Sequence, residues 1–136
     1  MFKIEKNIPK TDIDFIRNKT REHNKKNGLK MDEDFSFCIR DENGEIISGL
    51  YGGMFFGFAY IDYFWTDEKY RGKGLGTKLM NELEAEAKKK ECRYLVADTM
   101  EYQSPQFYKK YGFDLSLELK NCEGGNTHYT LAKKII

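Results

Sequence analysis

Apolar side chains recur at helical spacing in the segment that runs from residue 75 to residue 90. The stripe consists of Leu75, Leu79, Met80, Leu83 and Ala87. Glutamates and lysines occupy the opposite side of the same segment. A single apolar stripe with a period of about 3.6 residues is typical of a helix that packs one face against a core. The pattern therefore predicts an amphipathic helix over 77–90.

Shorter apolar and aromatic runs predict strands before and after this helix. The runs cover residues 35–39, 45–50, 60–66, 93–97, 113–120 and 126–132, and residues 4–6 fit a first edge strand. Between the first two of the longer runs, Asn43-Gly44 favours a two-residue type I′ hairpin turn. Two further helices are predicted, over residues 11–24 and 105–111.

The order of these elements predicts the fold. Strand 60–66, helix 77–90 and strand 93–97 follow one another, and this βαβ order makes the two strands parallel. The last two strands form a hairpin, as do the first two of the longer runs, and hairpin strands are antiparallel. The chain of 136 residues has the length of one ordinary domain. We therefore expect a single α/β domain over 1–136, with a mixed, mostly antiparallel sheet, one parallel βαβ unit and helices on both faces.

Composition excludes several classes of protein. The formal net charge is +1, so no overall positive field points to nucleic acid, and the lysines and arginines at 19–30 fit a solvated helix face. No apolar stretch is long enough to span a membrane or to act as a signal region. The cysteines Cys38, Cys92 and Cys122 are widely spaced, which favours neither a disulfide framework nor a zinc site. We expect a cytoplasmic protein with no metal, no nucleic-acid partner and no membrane partner.

The segment 71–76, Arg-Gly-Lys-Gly-Leu-Gly, connects a predicted strand to the predicted long helix. Glycines let a large anion approach the backbone, and the N–H groups and dipole of a helix N-terminus attract negative charge. The start of this helix carries several basic residues and no acid before Glu82, so its positive end stays available to a bound anion. We interpret the segment as a binding site for a diphosphate.

Two common phosphate loops do not match this segment. A nucleoside-triphosphate loop places Ser or Thr directly after Gly-Lys, where this chain has Gly74. A dinucleotide loop places a third glycine at position 77, where this chain has Thr77. Residues 70–79 instead resemble the acyl-CoA pyrophosphate loop, Arg/Gln-x-x-Gly-x-Gly/Ala, of the GNAT superfamily of N-acetyltransferases. Downstream, residues 107–113, Phe-Tyr-Lys-Lys-Tyr-Gly-Phe, resemble the second signature of that family.

The resemblance covers roughly residues 34–133 and implies an acetyl-CoA-dependent N-acetyltransferase. In that family the sheet splits near the acyl-CoA site, the exposed strand backbone pairs with the pantetheine arm, and the loop N–H groups bind the pyrophosphate. The implied cofactor-binding residues are Phe64, Trp65, Thr66, Arg71, Gly72, Lys73, Gly74, Leu75, Gly76 and Thr77, with Gln103 in place of an Asn that many relatives carry. Acetyl-CoA is the expected co-substrate, and no metal is expected.

The resemblance also implies catalytic residues. Tyr108 aligns with the tyrosine that serves as the family's general acid, and a phenol has a proton to give to the departing thiolate. An alkylamine is mostly protonated at neutral pH, so a proton acceptor is also expected. Asp62, on the strand before the loop, and Asp98, at the end of the next strand, are the leading candidates. Glu101 and His128 are weaker ones.

The acceptor is not fixed by the sequence, but a primary amine of a small molecule is favoured. The acidic run 32–34 can attract a cation, although such a run is more often a solvated turn. An aromatic set can hold an ammonium by cation–π contact, although such residues are more often core. This set is Tyr51, Phe55, Phe56, Tyr60 and Tyr63. Two alternatives stay open: acetylation of a protein lysine or α-amine, and a non-catalytic acyl-CoA-binding module. Dimers are common in the family, which leaves a homodimer open.

Overall fold

The computed structural model describes residues 1–30 and 32–136. Residues 1–30 form a compact unit that contains the helix α1 (Lys10–Lys26). The helix begins after Pro9, whose carbonyl accepts hydrogen bonds from the Asp12 and Ile13 N–H groups at 3.0 and 3.2 Å. The prediction of an edge strand at residues 4–6 is wrong, because these residues form no regular secondary structure. Ile4 is the one aliphatic side chain of that run and is 91% exposed, so burial does not hold the run in a sheet.

The remaining described residues contain a six-stranded sheet and two helices. The strands are β1 (Asp32–Arg40), β2 (Ile46–Phe55), β3 (Phe58–Thr66), β4 (Tyr94–Met100), β5 (Asp114–Leu119) and β6 (His128–Lys134), and the helices are α2 (Leu75–Lys89) and α3 (Pro105–Tyr111). In the described chain the strand order is β1-β2-β3-β4-β6-β5. β3 and β4, which α2 connects, are parallel, and the other neighbouring pairs are antiparallel. The expected mixed, mostly antiparallel α/β fold with one parallel βαβ unit is confirmed.

The connection between β1 and β2 differs from the two-residue type I′ turn that Asn43-Gly44 predicts. The connection spans residues 41–45, and Gly44 has a positive φ of 83° whereas Asn43 does not. The carboxylate of Asp41 accepts hydrogen bonds from the Asn43 and Glu45 N–H groups at 2.9 and 3.0 Å. Local hydrogen bonding by this Asp side chain therefore stabilises a longer turn than the Asn-Gly pair alone favours.

Helix α2 buries the apolar stripe that the sequence predicts. Leu79, Met80, Leu83 and Ala87 are buried in the core, and the helix packs on β1, β2 and β3. On the same helix, Glu84 forms ion pairs with Lys88 at 3.3 Å and with Lys133 of β6 at 2.7 Å. Burial of these apolar side chains, at roughly 1.5–3 kcal/mol for each large one, fixes the helix and therefore its N-terminus against the sheet.

The sheet splits between β3 and β4. The two strands are paired only from Phe58↔Tyr94 to Ile61↔Ala97, although β3 continues to Thr66 and β4 to Met100. The pairing of β3 with β2 shifts register between Tyr51 and Gly52, where β3 contains one extra residue. Such a bulge bends its strand and increases its local twist. The far half of β3 therefore leaves β4, which opens the gap that the resemblance implies.

Candidate functional site

A cavity of about 730 Å³ lies at the split, between the end of β3, the glycine loop and the start of α3. Its lining residues are Phe64, Trp65, Thr66, Tyr70, Arg71, Gly72, Gly74, Leu75, Gly76, Thr77, Tyr102, Gln103, Ser104 and Phe107. This set contains every cofactor-binding residue that the resemblance implies, except Lys73. Four lining residues were not assigned to the site from the sequence. Tyr70 and Phe107 belong to the two family motifs, at 70–79 and 107–113, and Tyr102 and Ser104 precede the second motif.

The glycine loop has the geometry of an anion site. Gly72 and Gly74 have φ angles of 77° and 81°, a region that residues with a Cβ rarely adopt. A Cβ built at either position would meet no atom within 4 Å, so the space above the loop is open. Gly74 is the N-cap of α2, and this cap has no side-chain hydrogen bond and no acidic residue in the first turn. The positive end of α2 therefore faces an open, glycine-lined space.

The third glycine of the loop has a different role. A Cβ at Gly76 would lie 3.0 Å from Cζ of Phe64 and 3.4 Å from Cε2 of Phe107. The rings of Phe64 and Phe107 are themselves in edge contact, with centroids 5.2 Å apart. Gly76 therefore lets the start of α2 pack directly against β3 and α3, which brings three walls of the cavity together.

The two basic side chains of the loop are held by the protein. Arg71 donates from Nε to the carbonyl oxygen of Thr66 at 3.0 Å, which ties the loop to the end of β3. The Nζ atom of Lys73 lies over the ring of Tyr70, 5.5 Å from its centroid. Arg71 therefore positions the loop, while Lys73 lies between two glycines that line the cavity.

Gln103 lies in the turn between β4 and α3. Its Oε1 atom accepts a hydrogen bond from the Met100 N–H group at 2.8 Å, so the amide NH₂ is the group that it can offer to a ligand. At the same turn, the Ser104 N–H group donates to Oγ1 of buried Thr99 at 3.2 Å. These bonds fix the start of α3 against the end of β4.

Tyr108 is buried in α3, with 4% of its surface exposed. Its ring contacts those of Phe64, Phe107 and Phe113, with centroids 6.2, 5.7 and 5.2 Å away. Burial raises the pKa of the Tyr108 phenol well above its ordinary value, and the negative charge of Asp98 raises it further. The phenol therefore stays protonated at neutral pH, as a proton donor must.

The two acids predicted as proton acceptors mark the opening of the split. Ile61 and Ala97 are the last residues paired between β3 and β4, and Asp62 and Asp98 come directly after them. Asp62 is exposed at the bulge of β3, whereas Asp98 is half-buried. The sequence reasoning named these acids, and the shared register of the parallel strands explains why they lie at the same level of the sheet.

Asp98 belongs to a polar cluster on β4 and β6. Thr130 donates a hydrogen bond to Oδ1 of Asp98, and Nε2 of His128 lies 3.5 Å from the same oxygen. Sequence reasoning missed Thr130, which the antiparallel register sets opposite Asp98. Glu101 has a structural role, because its Oε1 atom accepts a hydrogen bond from the Thr127 N–H group at 2.8 Å.

In residues 1–30 and 32–136, no group of three or more His, Cys, Asp or Glu side chains is arranged to hold a metal ion. Among the helices of the described chain, none has the length and apolarity needed to cross a membrane.

Comparison with known proteins gives a consistent family. The model of the acetyltransferase (GNAT) family matches residues 6–113. The chain is 32% identical over 95 residues to a blasticidin-S acetyltransferase from Streptomyces morookaense, covering 69% of this chain and 70% of the relative. It is also 32% identical over 101 residues to the acetyltransferase Atu2258 of Agrobacterium fabrum, covering 74% of each chain.

A solved structure agrees with these sequence matches. An acetyltransferase from Bacillus cereus ATCC 14579 superposes with a TM-score of 0.86 at 30% identity, over 97% of both chains. The family match spans the glycine loop, the split and Tyr108, which together line or adjoin one cavity. The chain therefore belongs to the GNAT family of acetyltransferases.

Proposed function

We propose that this acyltransferase moves the acetyl group of acetyl-CoA to a primary amine of a small molecule, and that residues 1–136 act as one N-acetyltransferase domain. The observation that carries this proposal is a single continuous path. The cavity extends from the N-terminus of α2 along the unpaired end of β3 to Phe64, whose ring contacts that of Tyr108, and the two acids follow the last paired residues at the split. An acyl-CoA has its phosphates, its amide arm and its thioester in that order.

The loop binds the pyrophosphate. The N–H groups of residues 72–77 donate to it at a helix N-terminus that has no side-chain cap and no acid in its first turn, so no side chain competes with the phosphate. The pantetheine arm then pairs with the β3 backbone at residues 64–66, since that edge has lost β4 as its partner. The NH₂ group of Gln103 supplies one more donor to the arm.

The chemical step joins the amine nitrogen to the thioester carbonyl carbon and breaks the carbon–sulfur bond. The tetrahedral oxyanion forms beside the free β3 N–H groups, which stabilise it. The attacking nitrogen loses a proton, and the departing thiolate gains one. The products are the N-acetylated amine and CoA with a free thiol.

Tyr108 donates the proton that the thiolate gains. Its raised pKa keeps the proton in place until the sulfur leaves, and its contact with Phe64 sets it beside the strand that binds the arm. The amine proton passes to Asp62 or to Asp98, directly or through water. The position of both acids at the opening of the split supports this role.

The acceptor is a small molecule rather than a protein tail. The support is the relative from Streptomyces morookaense, whose name gives blasticidin S as its acceptor. Acetylation of a peptide amine is the second candidate, and an acyl-CoA-binding module without turnover is the third.

An amine screen tests the proposal. The purified protein is incubated with acetyl-CoA and one amine at a time, and the release of the CoA thiol is followed. The small amines are blasticidin S, an aminoglycoside and several alkyl diamines, and the peptides carry either a lysine or a free α-amine. At least one small amine should be acetylated about tenfold faster than either peptide, a difference that one good contact provides. Preference for a peptide would favour the second candidate. Acetyl-CoA binding without thiol release for any amine would favour the third.

A further inference from the structure

A second cavity adjoins the first on the outer half of the sheet. It has a volume of about 400 Å³. It is lined by Ser36, Phe37, Cys38, Ile46, Gly49, Leu50, Tyr51, Tyr63, Phe64 and Trp65. Phe64 and Trp65 belong to both cavities, so the second one, which we call the outer groove, meets the cofactor cavity at the wall that would hold the pantetheine arm. The end of β3 is therefore a wall that the two cavities share.

Two tyrosines form an exposed wall of the outer groove. Tyr51 of β2 and Tyr63 of β3 are directly opposite in the antiparallel register, and their rings stack with centroids 6.3 Å apart and planes inclined by 27°. Tyr51 is 42% exposed and Tyr63 is 74% exposed. Stacked, exposed aromatic faces are attractive to a cation, because the ring faces carry negative charge density.

Two carboxylates give this wall a negative potential. The hydroxyl of Tyr51 lies 3.5 Å from Oδ2 of Asp34 on β1. The negative charge of Asp34 is the main cause that raises the pKa of the Tyr51 phenol. Burial and the hydrogen bond to Asp34 raise this pKa further, and the charge of Asp62 makes a smaller contribution in the same direction. The outer groove therefore has an acid beside its tyrosines on β1 and a second acid at the bulge of β3.

The positions of these two acids assign them to different parts of a ligand. Asp62 directly follows the last paired residue of β3, so it lies at the split, where the reacting nitrogen must come. Asp34 is on β1, two strands away from β3 in the sheet, which is about 10 Å at the usual strand spacing. At that distance Asp34 cannot take the proton of the reacting amine, but it can hold a charge at the other end of the same molecule.

We propose that Asp34, Tyr51 and Tyr63 bind a second positive charge of the acceptor, so that the preferred acceptors are small molecules carrying two cationic groups several bonds apart. This inference rests on the proposed function. The reacting amine lies at the split, the apolar part of the molecule crosses the outer groove beside Trp65, and the distal ammonium or guanidinium lies against the tyrosine faces and Asp34. Charge complementarity and continuity with the cofactor cavity both favour this occupant.

Diaminohexane and hexylamine are suitable probes, because they share one carbon chain and differ in the distal ammonium. The values of kcat/KM for both amines are measured with the wild-type protein, with Asp34→Asn and with Glu118→Gln. Glu118 is an exposed acid on β5, at the opposite edge of the sheet, so its variant removes the same charge at another place. Thermal unfolding verifies that each variant is folded.

The wild-type protein should prefer diaminohexane by about tenfold, the effect of one hydrogen bond to a charged group. Asp34→Asn should remove that preference and leave hexylamine within about twofold, while Glu118→Gln leaves both values unchanged. Tyr63→Leu, which keeps an apolar side chain but removes the ring, should lower kcat/KM for diaminohexane by about two- to fivefold.

Several outcomes would overturn the inference. Equal kcat/KM for the two amines in the wild-type protein would do so, as would equal losses for both amines in Asp34→Asn. Acetylation of hexylamine without acetylation of diaminohexane or of the aminoglycoside would also reject it while leaving the proposed function intact. Failure of the protein to acetylate any amine would instead reject the proposed function, on which the inference depends.

Discussion

The cofactor cavity and the outer groove share two residues but are built in different ways. The proposed phosphate site uses the backbone N–H groups of the segment 72–77, most of which lines the cavity and in which Gly72 and Gly74 have positive φ angles. The charged wall of the outer groove comes from single side chains on three different strands, Asp34, Tyr51 and Tyr63. A site made of consecutive backbone leaves a motif in the sequence, whereas a site made of distant side chains does not.

This difference has a functional consequence. A backbone site depends on conformation, so substitutions that preserve the turn leave it intact and those that fill it abolish binding. A side-chain site changes with each substitution on a stable sheet, so the same scaffold can take a new acceptor without altering its cofactor. The two acids that we propose as proton acceptors lie at the split.

The largest expected effect in the split is the loss of the Tyr108 hydroxyl. Tyr108→Phe should lower kcat by about 100-fold or more, the usual contribution of a general acid, and leave the KM for acetyl-CoA within about threefold. Because the pKa of Tyr108 is raised, the wild-type kcat should not fall through loss of this proton below about pH 10.

Tyr111→Phe is the matched control for this variant. Tyr111 lies on the same helix, where its ring stacks on that of Phe107. Its hydroxyl donates a hydrogen bond to Oδ1 of Asn81 on α2 at 2.8 Å. Its removal should change kcat by less than about threefold. Similar losses in the two variants would show that α3 packing, rather than a proton from Tyr108, controls the rate.

A smaller effect separates the two acids. One of the two variants, Asp62→Asn or Asp98→Asn, removes the proton acceptor. That variant should lower kcat by about 10- to 100-fold at neutral pH, and its kcat should recover as the pH rises because more of the amine is neutral. The other variant should act mainly on the KM for the amine. Profiles of kcat against pH for both variants distinguish them, and two profiles that match the wild type would leave water as the acceptor.

The packing of the cofactor wall gives a third prediction. Gly76→Ala adds a methyl group 3.0 Å from Phe64 and 3.4 Å from Phe107, so one of these rings must move. Overpacking of this kind typically lowers the free energy of unfolding by about 1–3 kcal/mol. Urea unfolding measures the change, and acetyl-CoA affinity should fall as well because Phe64 and Phe107 both line the cavity. A stable variant with unchanged affinity would show that the ring positions do not shape the site.

The smallest effect concerns an ion pair outside both regions. Burial alone would raise the pKa of Glu84, but the hydrogen bonds and charges of Lys133 and Lys88 lower it below the ordinary value. A lowered carboxyl pKa stabilises the fold above the unfolded-state pKa, and this contribution is lost as pH falls through the folded-state pKa. Glu84→Gln should therefore cost about 1 kcal/mol of unfolding free energy at neutral pH and progressively less below about pH 4.

Glu82→Gln is the control for this prediction, since Glu82 is an exposed acid on the same helix. Its unfolding free energy should match the wild type within about 0.5 kcal/mol. A cost for Glu84→Gln that persists unchanged in acid would assign the effect to packing rather than to charge.

The sequence predicted elements that local patterns determine. The stripe of α2 and the loop conformation were predictable because helical spacing and positive-φ glycines are local properties. The hairpin at 41–45 was predicted correctly but its two-residue turn was not, because the carboxylate of Asp41 competes with the Asn43-Gly44 preference. The partnership of Asp98 with Thr130 was not predictable, since it depends on the register of β4 and β6.

Calorimetric titration with acetyl-CoA tests the central claim, that the glycine loop and the split form the cofactor site. The comparison uses the wild-type protein, Gly74→Glu and Gly44→Glu. Gly74 and Gly44 have φ angles of 81° and 83°, and a Cβ at either would meet no atom within 4 Å, so backbone strain is matched and only the position of the new charge differs.

We expect micromolar binding by the wild-type protein and by Gly44→Glu, and a loss of about 100-fold or more for Gly74→Glu, because a carboxylate would occupy and repel the phosphate site. No binding by the folded wild-type protein, or equal binding by the two variants, would contradict it.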